Sequence, residues 1–139
     1  MTTEPKRVEV AFALVWRDER LLVTRRSEGT HLAGYWEFPG GKLAPGEAPE
    51  ACAVREVLEE TAVTARALRR RAAIGWDYPA RAVLLYPIDC EWLSGEGEPR
   101  EVAELRWVSP NDLPHLQFPE ANAALIAELV ADSELTPRR

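Results

Sequence analysis

Two cysteines are all that the 139 residues contain, and Cys52 and Cys90 stand far apart, without metal-ligand spacing. A disulfide framework is therefore excluded as an organising principle, and both thiols are expected to be free and buried. Basic residues are also in short supply: 17 Lys and Arg face 23 Asp and Glu, a net charge of −6. This excludes the basic footprint of a general nucleic-acid binder, so no nucleic-acid polymer is expected as a partner. An acidic chain that handles phosphate needs local cations instead, from bound metal or a few placed arginines. No hydrophobic run approaches a membrane span, and the opening MTTEPKRVEV holds no apolar stretch of signal-peptide length. No membrane partner is expected, and the expected location is cytoplasmic. Internal repeats, low-complexity tracts and linkers are missing too, which leaves one domain over residues 1–139.

What is present reads as α+β. Val8 to Trp16 is apolar and valine-rich, a buried strand, and Leu21 to Thr24 is its partner across the polar break Arg17 to Arg20. Residues 27–36 read as a loop, and Pro39-Gly40-Gly41 forbids regular structure directly after Phe38. The clearest helix runs from Pro49 to Thr61, with proline at a first position where its missing N–H is not needed. Ala51, Val54, Val57, Leu58 and Thr61 make its apolar stripe. Further strands are expected around Val63 to Ile74, Arg81 to Trp92 and Leu105 to Val108. A last helix is expected over Glu120 to Ala131, followed by a mobile tail at 132–139. Strands, a helix, more strands and a final helix suggest a mixed sheet.

On the first helix, Glu56, Glu59 and Glu60 fall within an arc of roughly 100°. Carboxylates at this spacing repel one another by a few tenths of a kcal/mol per pair. A hard divalent cation among them removes that cost, and oxygen ligands suit Mg²⁺, with Mn²⁺ as a substitute. Taken alone, the pattern would read as a solvated acidic face of good helix formers. The surroundings decide otherwise. Gly41 is followed after five residues by Glu47, and after seven more by Arg55-Glu56-Val57-Leu58-Glu59-Glu60-Thr61-Ala62-Val63. This resembles the Nudix box, G-x5-E-x7-R-E-U-x-E-E-x-G-U with U aliphatic. Ala62 is the one departure, where the family has the glycine that ends the helix in a left-handed turn.

The resemblance implies an α/β/α sandwich with a mixed sheet and two main helices. It also implies an enzyme that hydrolyses a nucleoside diphosphate linked to another group. Glu56, Glu59 and Glu60, with the carbonyl of Gly40, would hold the metal, and Glu56 or a neighbouring carboxylate would deprotonate the attacking water. Glu47 would support the cluster through water or Arg55, whose fork suits a carboxylate and which sits four residues before Glu59. Glycines 40 and 41 would let the backbone pass close to metal and phosphate. A further acidic residue from a distant loop is expected, with Glu101 the candidate and Glu98 and Glu104 its competitors.

Outside the box, Trp36-Glu37-Phe38-Pro39-Gly40-Gly41-Lys42 and Thr24-Arg25-Arg26 are similar to MutT-type members of the family, and so is Phe118-Pro119-Glu120-Ala121-Asn122. The similarity implies hydrolysis of oxidised purine nucleoside triphosphates such as 8-oxo-dGTP to the monophosphate and pyrophosphate, a sanitation of the nucleotide pool. Arg26 and His31 would touch sugar or phosphate, Glu37 to Gly40 would line the base and metal site, and Asn122 would read the base. Trp76 and Tyr78 are stacking candidates or core. Asp77 to Arg81 reads as a loop without clear identity to this branch, and Asp89-Cys90-Glu91 interrupts an otherwise apolar strand. A pyrimidine dNTP, ADP-ribose or a dinucleoside polyphosphate is the alternative substrate. A nucleotide-binding module without catalysis is the alternative class, although such modules lose box glutamates and all remain here. The partner expected is the nucleotide alone, with the chain a monomer or weak homodimer.

Overall fold

The computed structural model describes residues 7–79 and 81–135. Strand β1 (Arg7–Arg17) turns directly into β2 (Arg20–Arg25) through Asp18 and Glu19, both at positive φ, as a two-residue hairpin requires. Short strands β3 (Trp36–Glu37) and β4 (Gly40–Lys42) lead to helix α1 (Pro49–Thr61). Strands β5 (Thr64–Arg70), β6 (Ile74–Tyr78), β7 (Arg81–Ser94) and β8 (Glu104–Val108) follow. The chain ends in 3₁₀ turns at Pro110–His115 and Glu120–Asn122 and in helix α2 (Ala123–Leu135).

The sheet runs in the order β3-β2-β1-β7-β5, with β1 and β7 parallel at its centre and the other pairs antiparallel. Alternation along β1 divides two cores. Ala11, Ala13 and Val15 point to α1 with Cys52, Ala53, Val57, Ile88 and Cys90. Phe12 and Leu14 point to the opposite layer with Leu113, Leu125, Ile126 and Leu129. The mixed sheet between helical layers is the α+β sandwich expected. Both cysteines are free and buried, and burial pushes their thiols up to about 11 and about 12.

Several expectations are corrected. Gly40 and Gly41 do enter the sheet: β4 pairs with β1 through Ala11↔Gly41 and Phe12↔Gly40. Having no side chain is what admits Gly40, because a Cβ there would lie 2.3 Å from the Ala11 carbonyl oxygen. Trp36 closes the 27–36 loop as a strand residue. The strand expected over Val63 to Ile74 is two strands, and Asp77 and Tyr78 belong to β6 rather than to a loop, paired with the start of β7, which begins at Arg81 as expected.

The break between β5 and β6 occurs where Arg71 turns inward to Asp89, at 2.9 Å, and to Glu128 of α2, at 2.8 Å. Asp89 also accepts from Trp16 and Arg69. A buried carboxylate with these partners does not interrupt β7, which runs unbroken past it. The last helix starts with a 3₁₀ turn and continues to Leu135, so 132–135 are helical rather than tail; 136–139 lie outside the described residues.

The apolar stripe of α1 is also rotated from expectation. Leu58 is 45% exposed and Ala51 faces solvent, whereas Pro49, Cys52, Ala53, Val57, Glu60 and Thr61 are buried. The rotation carries Glu60 under the sheet edge. Ala62 ends the helix at φ 61°, ψ 17°, donating its N–H to the Leu58 carbonyl. The left-handed exit thus forms without glycine.

Candidate active site

The β4–α1 connection builds the carboxylate cluster. Glu47, two residues before α1, accepts from the Ala44 N–H at 2.9 Å and from Nε and Nη2 of Arg55, at 2.8 and 2.9 Å. Arg55 also donates to Glu56 at 3.0 Å and to Glu59 at 3.2 Å. One guanidinium therefore ties the loop glutamate to two helix glutamates, and its own pKa is raised by these bonds, Glu47 first. The Arg55 fork and the Ala44 N–H hold Glu47 down at about 2.

Glu60 is different. It is only 7% exposed, and its Oε2 atom is buried with no hydrogen-bond partner. Burial, then the like charges of Glu37, Glu56 and Glu101, push its carboxyl up to about 9, although a backbone bond from Gly40 works the other way. Gly41 makes room beside it, since a Cβ at that position would meet the Glu56 carboxylate at 2.6–2.8 Å. Among the described residues no three acidic, histidine or cysteine side chains close into a metal cage. An orphaned buried carboxylate oxygen beside further carboxylates nevertheless fits a hard divalent cation, which keeps several waters of its own. That donor set suits Mg²⁺ better than a soft metal.

Glu56 and Glu60 form part of the wall of a cavity of about 910 Å³, within the range of small-molecule sites. Arg26, His31, Glu37, Phe38, Gly40, Glu101 and Asn122 line the same cavity. Arg26 donates to Glu37 at 2.7 Å and to the His31 carbonyl, so it holds the 27–34 loop as well as facing the cavity. Burial raises the Glu37 carboxyl against the pull of Arg26. Phe38 stacks on Phe12 with centroids 5.5 Å apart and touches Phe118. Asn122 is 8% exposed; its side-chain amide makes no hydrogen bond within the described residues and does not cap α2.

Pro39 stands apart, buried with its carbonyl accepting from Ala13, and is not a lining residue. Glu59 points outward on Arg55 and does not line the cavity either. Glu104 is taken up by Arg25 and Arg106, and Glu98 is exposed beside Arg100, which leaves Glu101 as the loop carboxylate at the cavity. Tyr78 lines the wall edge-on to His31, while Trp76 does not.

Sequence reasoning missed Lys42, Arg81 and the apolar floor of Val8, Val10 and Val83. The period-2 alternation of β1 carried a signal for Val8 and Val10. Arg81 begins the strand expected from Arg81 to Trp92, but nothing local in the sequence marks it as facing a cavity.

Carboxylates that repel one another at the mouth of a cavity also furnished with Arg26, Lys42 and Arg81 suit a divalent cation arriving with a polyanion. The class so defined is a hydrolase of phosphoric anhydrides. Comparison with known proteins gives the family: the chain belongs to the NUDIX domain family, whose pattern matches residues 5–129, and it is a Nudix hydrolase. It is 32% identical over 125 residues to an 8-oxo-dGTP diphosphatase of Escherichia coli, covering 89% of this chain and 97% of that one. A CTP pyrophosphohydrolase of the same organism is also 32% identical, over 118 residues, covering 85% and 86%. The crystal structure of the MutT protein from Methanosarcina mazei superposes with a TM-score of 0.83 at 24% identity, covering 95% of this chain and 99% of the other, a likeness of fold. No helix among the described residues is long and apolar enough to cross a membrane.

Proposed function

We propose that this Nudix hydrolase is a Mg²⁺-dependent pyrophosphohydrolase of oxidised purine nucleoside triphosphates, releasing the monophosphate and pyrophosphate from 8-oxo-dGTP. The observation that carries the reading is Asn122: a largely buried residue whose amide has no partner among the described residues and opens onto the cavity shared by Glu56 and Glu60. An amide that faces a cavity without a protein partner is free to pair with a ligand there. It offers one donor beside one acceptor. Guanine presents two acceptors on its Hoogsteen edge, and oxidation at C8 places a proton on N7, so only the oxidised base pairs fully.

In this reading Glu56 and Glu60, with the Gly40 carbonyl, would hold the cation, Glu59 would join them only by leaving Arg55, and Mn²⁺ could substitute. A cation bound there would supply the charge neutralisation that lets water approach phosphorus. Arg55 fixes the carboxylates, and Glu47 fixes Arg55. Glu56 already accepts from Arg55, which occupies one of its two oxygens. The Glu101 carboxylate makes no hydrogen bond or ion pair among the described residues. Glu101 therefore takes the proton of the attacking water as the anhydride P–O bond breaks. Arg26 and His31 face the sugar or phosphates, and Glu37 and Phe38 the base.

A second reading, hydrolysis of a pyrimidine nucleoside triphosphate, has the equal identity to a CTP pyrophosphohydrolase in its favour. The Asn122 amide can also pair with the donor and acceptor of cytosine. A Mg²⁺ hydrolysis screen over canonical and oxidised dNTPs, CTP, ADP-ribose and dinucleoside polyphosphates separates them. The highest kcat/KM is expected on 8-oxo-dGTP; a preference for CTP or dCTP replaces the first reading with the second.

A further inference from the structure

The loop 95–103 joins β7 to β8 and carries Glu101 to the cavity. Its second half lies on the C-terminal carbonyls of α1: Glu98 donates its N–H to Thr61 at 2.7 Å, and Arg100 and Glu101 donate to Glu60 at 3.0 and 3.4 Å. Its first half is held by a separate group on the α1 side of the sheet. Trp92 donates its indole N–H to the Gly95 carbonyl at 2.7 Å, and Trp107 donates to the Glu96 carbonyl at 3.0 Å. Arg17, the last residue of β1, lies over both rings, 4.0 Å from Trp92 and 5.4 Å from Trp107. It forks onto Glu96 through two bonds of 2.9 and 3.0 Å.

Glu96 is 83% exposed, and a lone surface ion pair of that kind contributes little. Here the guanidinium lies over two indoles that themselves grip the loop backbone, so the fork is held in place beside Glu96. Gly95 completes the fit. It sits at φ +95°, and a Cβ there would lie 2.7 Å from the Ala62 carbonyl oxygen at the exit of α1.

We propose that Arg17 is a positioning residue for catalysis: seated on Trp92 and Trp107 and forked onto Glu96, it fixes loop 95–103 against the end of α1 and so holds Glu101 beside Glu60. The inference rests on the reading of Glu60 and Glu101 as members of the cation-binding and water-activating cluster. Arg17 itself touches neither, and acts only through the loop.

The test is a double-mutant cycle on the full chain with Arg17→Met, Glu101→Gln and the pair. Mn²⁺ affinity is read by calorimetry without nucleotide, and kcat and KM separately with it. Arg17→Met is expected to lower kcat and weaken Mn²⁺ binding about tenfold, as loss of a supporting contact does, with KM nearly unchanged. In the Glu101→Gln background it should cost nothing further. Equal losses in both backgrounds, or no loss in either, overturn the proposal. Should Arg17→Met fail to fold, Glu96→Gln removes the same fork from an exposed position and is expected to reproduce the effect in the same cycle. If Glu101→Gln alone leaves Mn²⁺ affinity and kcat intact, the reading of Glu101 fails and the proposal with it, an outcome distinct from an additive cycle.

Discussion

Arg55 and Glu47 meet as a two-point fork, Nε to Oε2 at 2.8 Å and Nη2 to Oε1 at 2.9 Å, while the same guanidinium reaches Glu56 and Glu59. Lysine keeps the charge but loses the planar fork. Arg55→Lys is therefore expected to lower kcat about 10- to 100-fold, with KM changing less. Steady-state kinetics on the preferred nucleotide check this, and turnover within twofold of wild type would show that the fork does not orient the cluster.

Glu60 gives a pH dependence with a definite sign. Its carboxyl in the metal-free fold stands at about 9, above the ordinary 4.5. The fold is thus favoured while the group is protonated: the contribution is complete below pH about 4.5 and is lost as pH rises through about 9. Glu47, held at about 2, acts in the opposite sense only below the ordinary range. Metal-free wild type should melt lower at pH 9 than at pH 6, and Glu60→Gln should flatten that fall and lie above wild type at pH 9. Mg²⁺ should raise the wild-type Tm with concentration and leave Glu60→Gln nearly unmoved, while the substitution lowers kcat by at least about 10²-fold. A Glu60→Gln protein with wild-type turnover would remove this residue from the metal site.

Asn122→Ala should cut kcat/KM for 8-oxo-dGTP by tens-fold, since one bidentate pair discriminates by roughly 1–3 kcal/mol, and leave dGTP within a few-fold. Equal losses on both nucleotides would mean that the residue supports the end of the cavity rather than reading the base.

Ala62 occupies a left-handed exit that glycine adopts without strain. The strain on alanine there is about 1–2 kcal/mol, of which the greater unfolded-state freedom of glycine returns about 0.4–1 kcal/mol. Ala62→Gly should raise the urea midpoint by the equivalent of about 0.5–1 kcal/mol without altering kcat. A lower midpoint would show that the Cβ makes contacts worth more than the strain.

The parts of the molecule legible in the sequence are those whose signal is local. Pro49 and the box set α1 at its observed bounds, and the valine-rich run set β1 to within one residue at either end. The stripe on α1 was misassigned because periodicity ranks residues by hydrophobicity, whereas the sheet covers the side that holds Glu60 and leaves Leu58 in water. Gly40 and Gly41 looked like breakers because their use, close approach to Ala11 and Glu56, exists only once the chain has returned to itself. Asp89 looked like an interruption until Arg71 arrived from the β5–β6 junction. Arg17 gave no signal at all, since its two indoles and its carboxylate lie far along the chain.

The parallel pairing of β1 with β7 has a consequence for how the molecule comes into being. Arg7 is matched with Ala82 and Trp16 with Glu91, so the central ladder closes only after most of the chain has left the ribosome. Until then the β1–β2 hairpin shows an open, valine-rich edge, and α1 carries its crowded glutamates with one flank uncovered. Non-local closure of this kind makes for slow folding and a long exposure of unpaired strand.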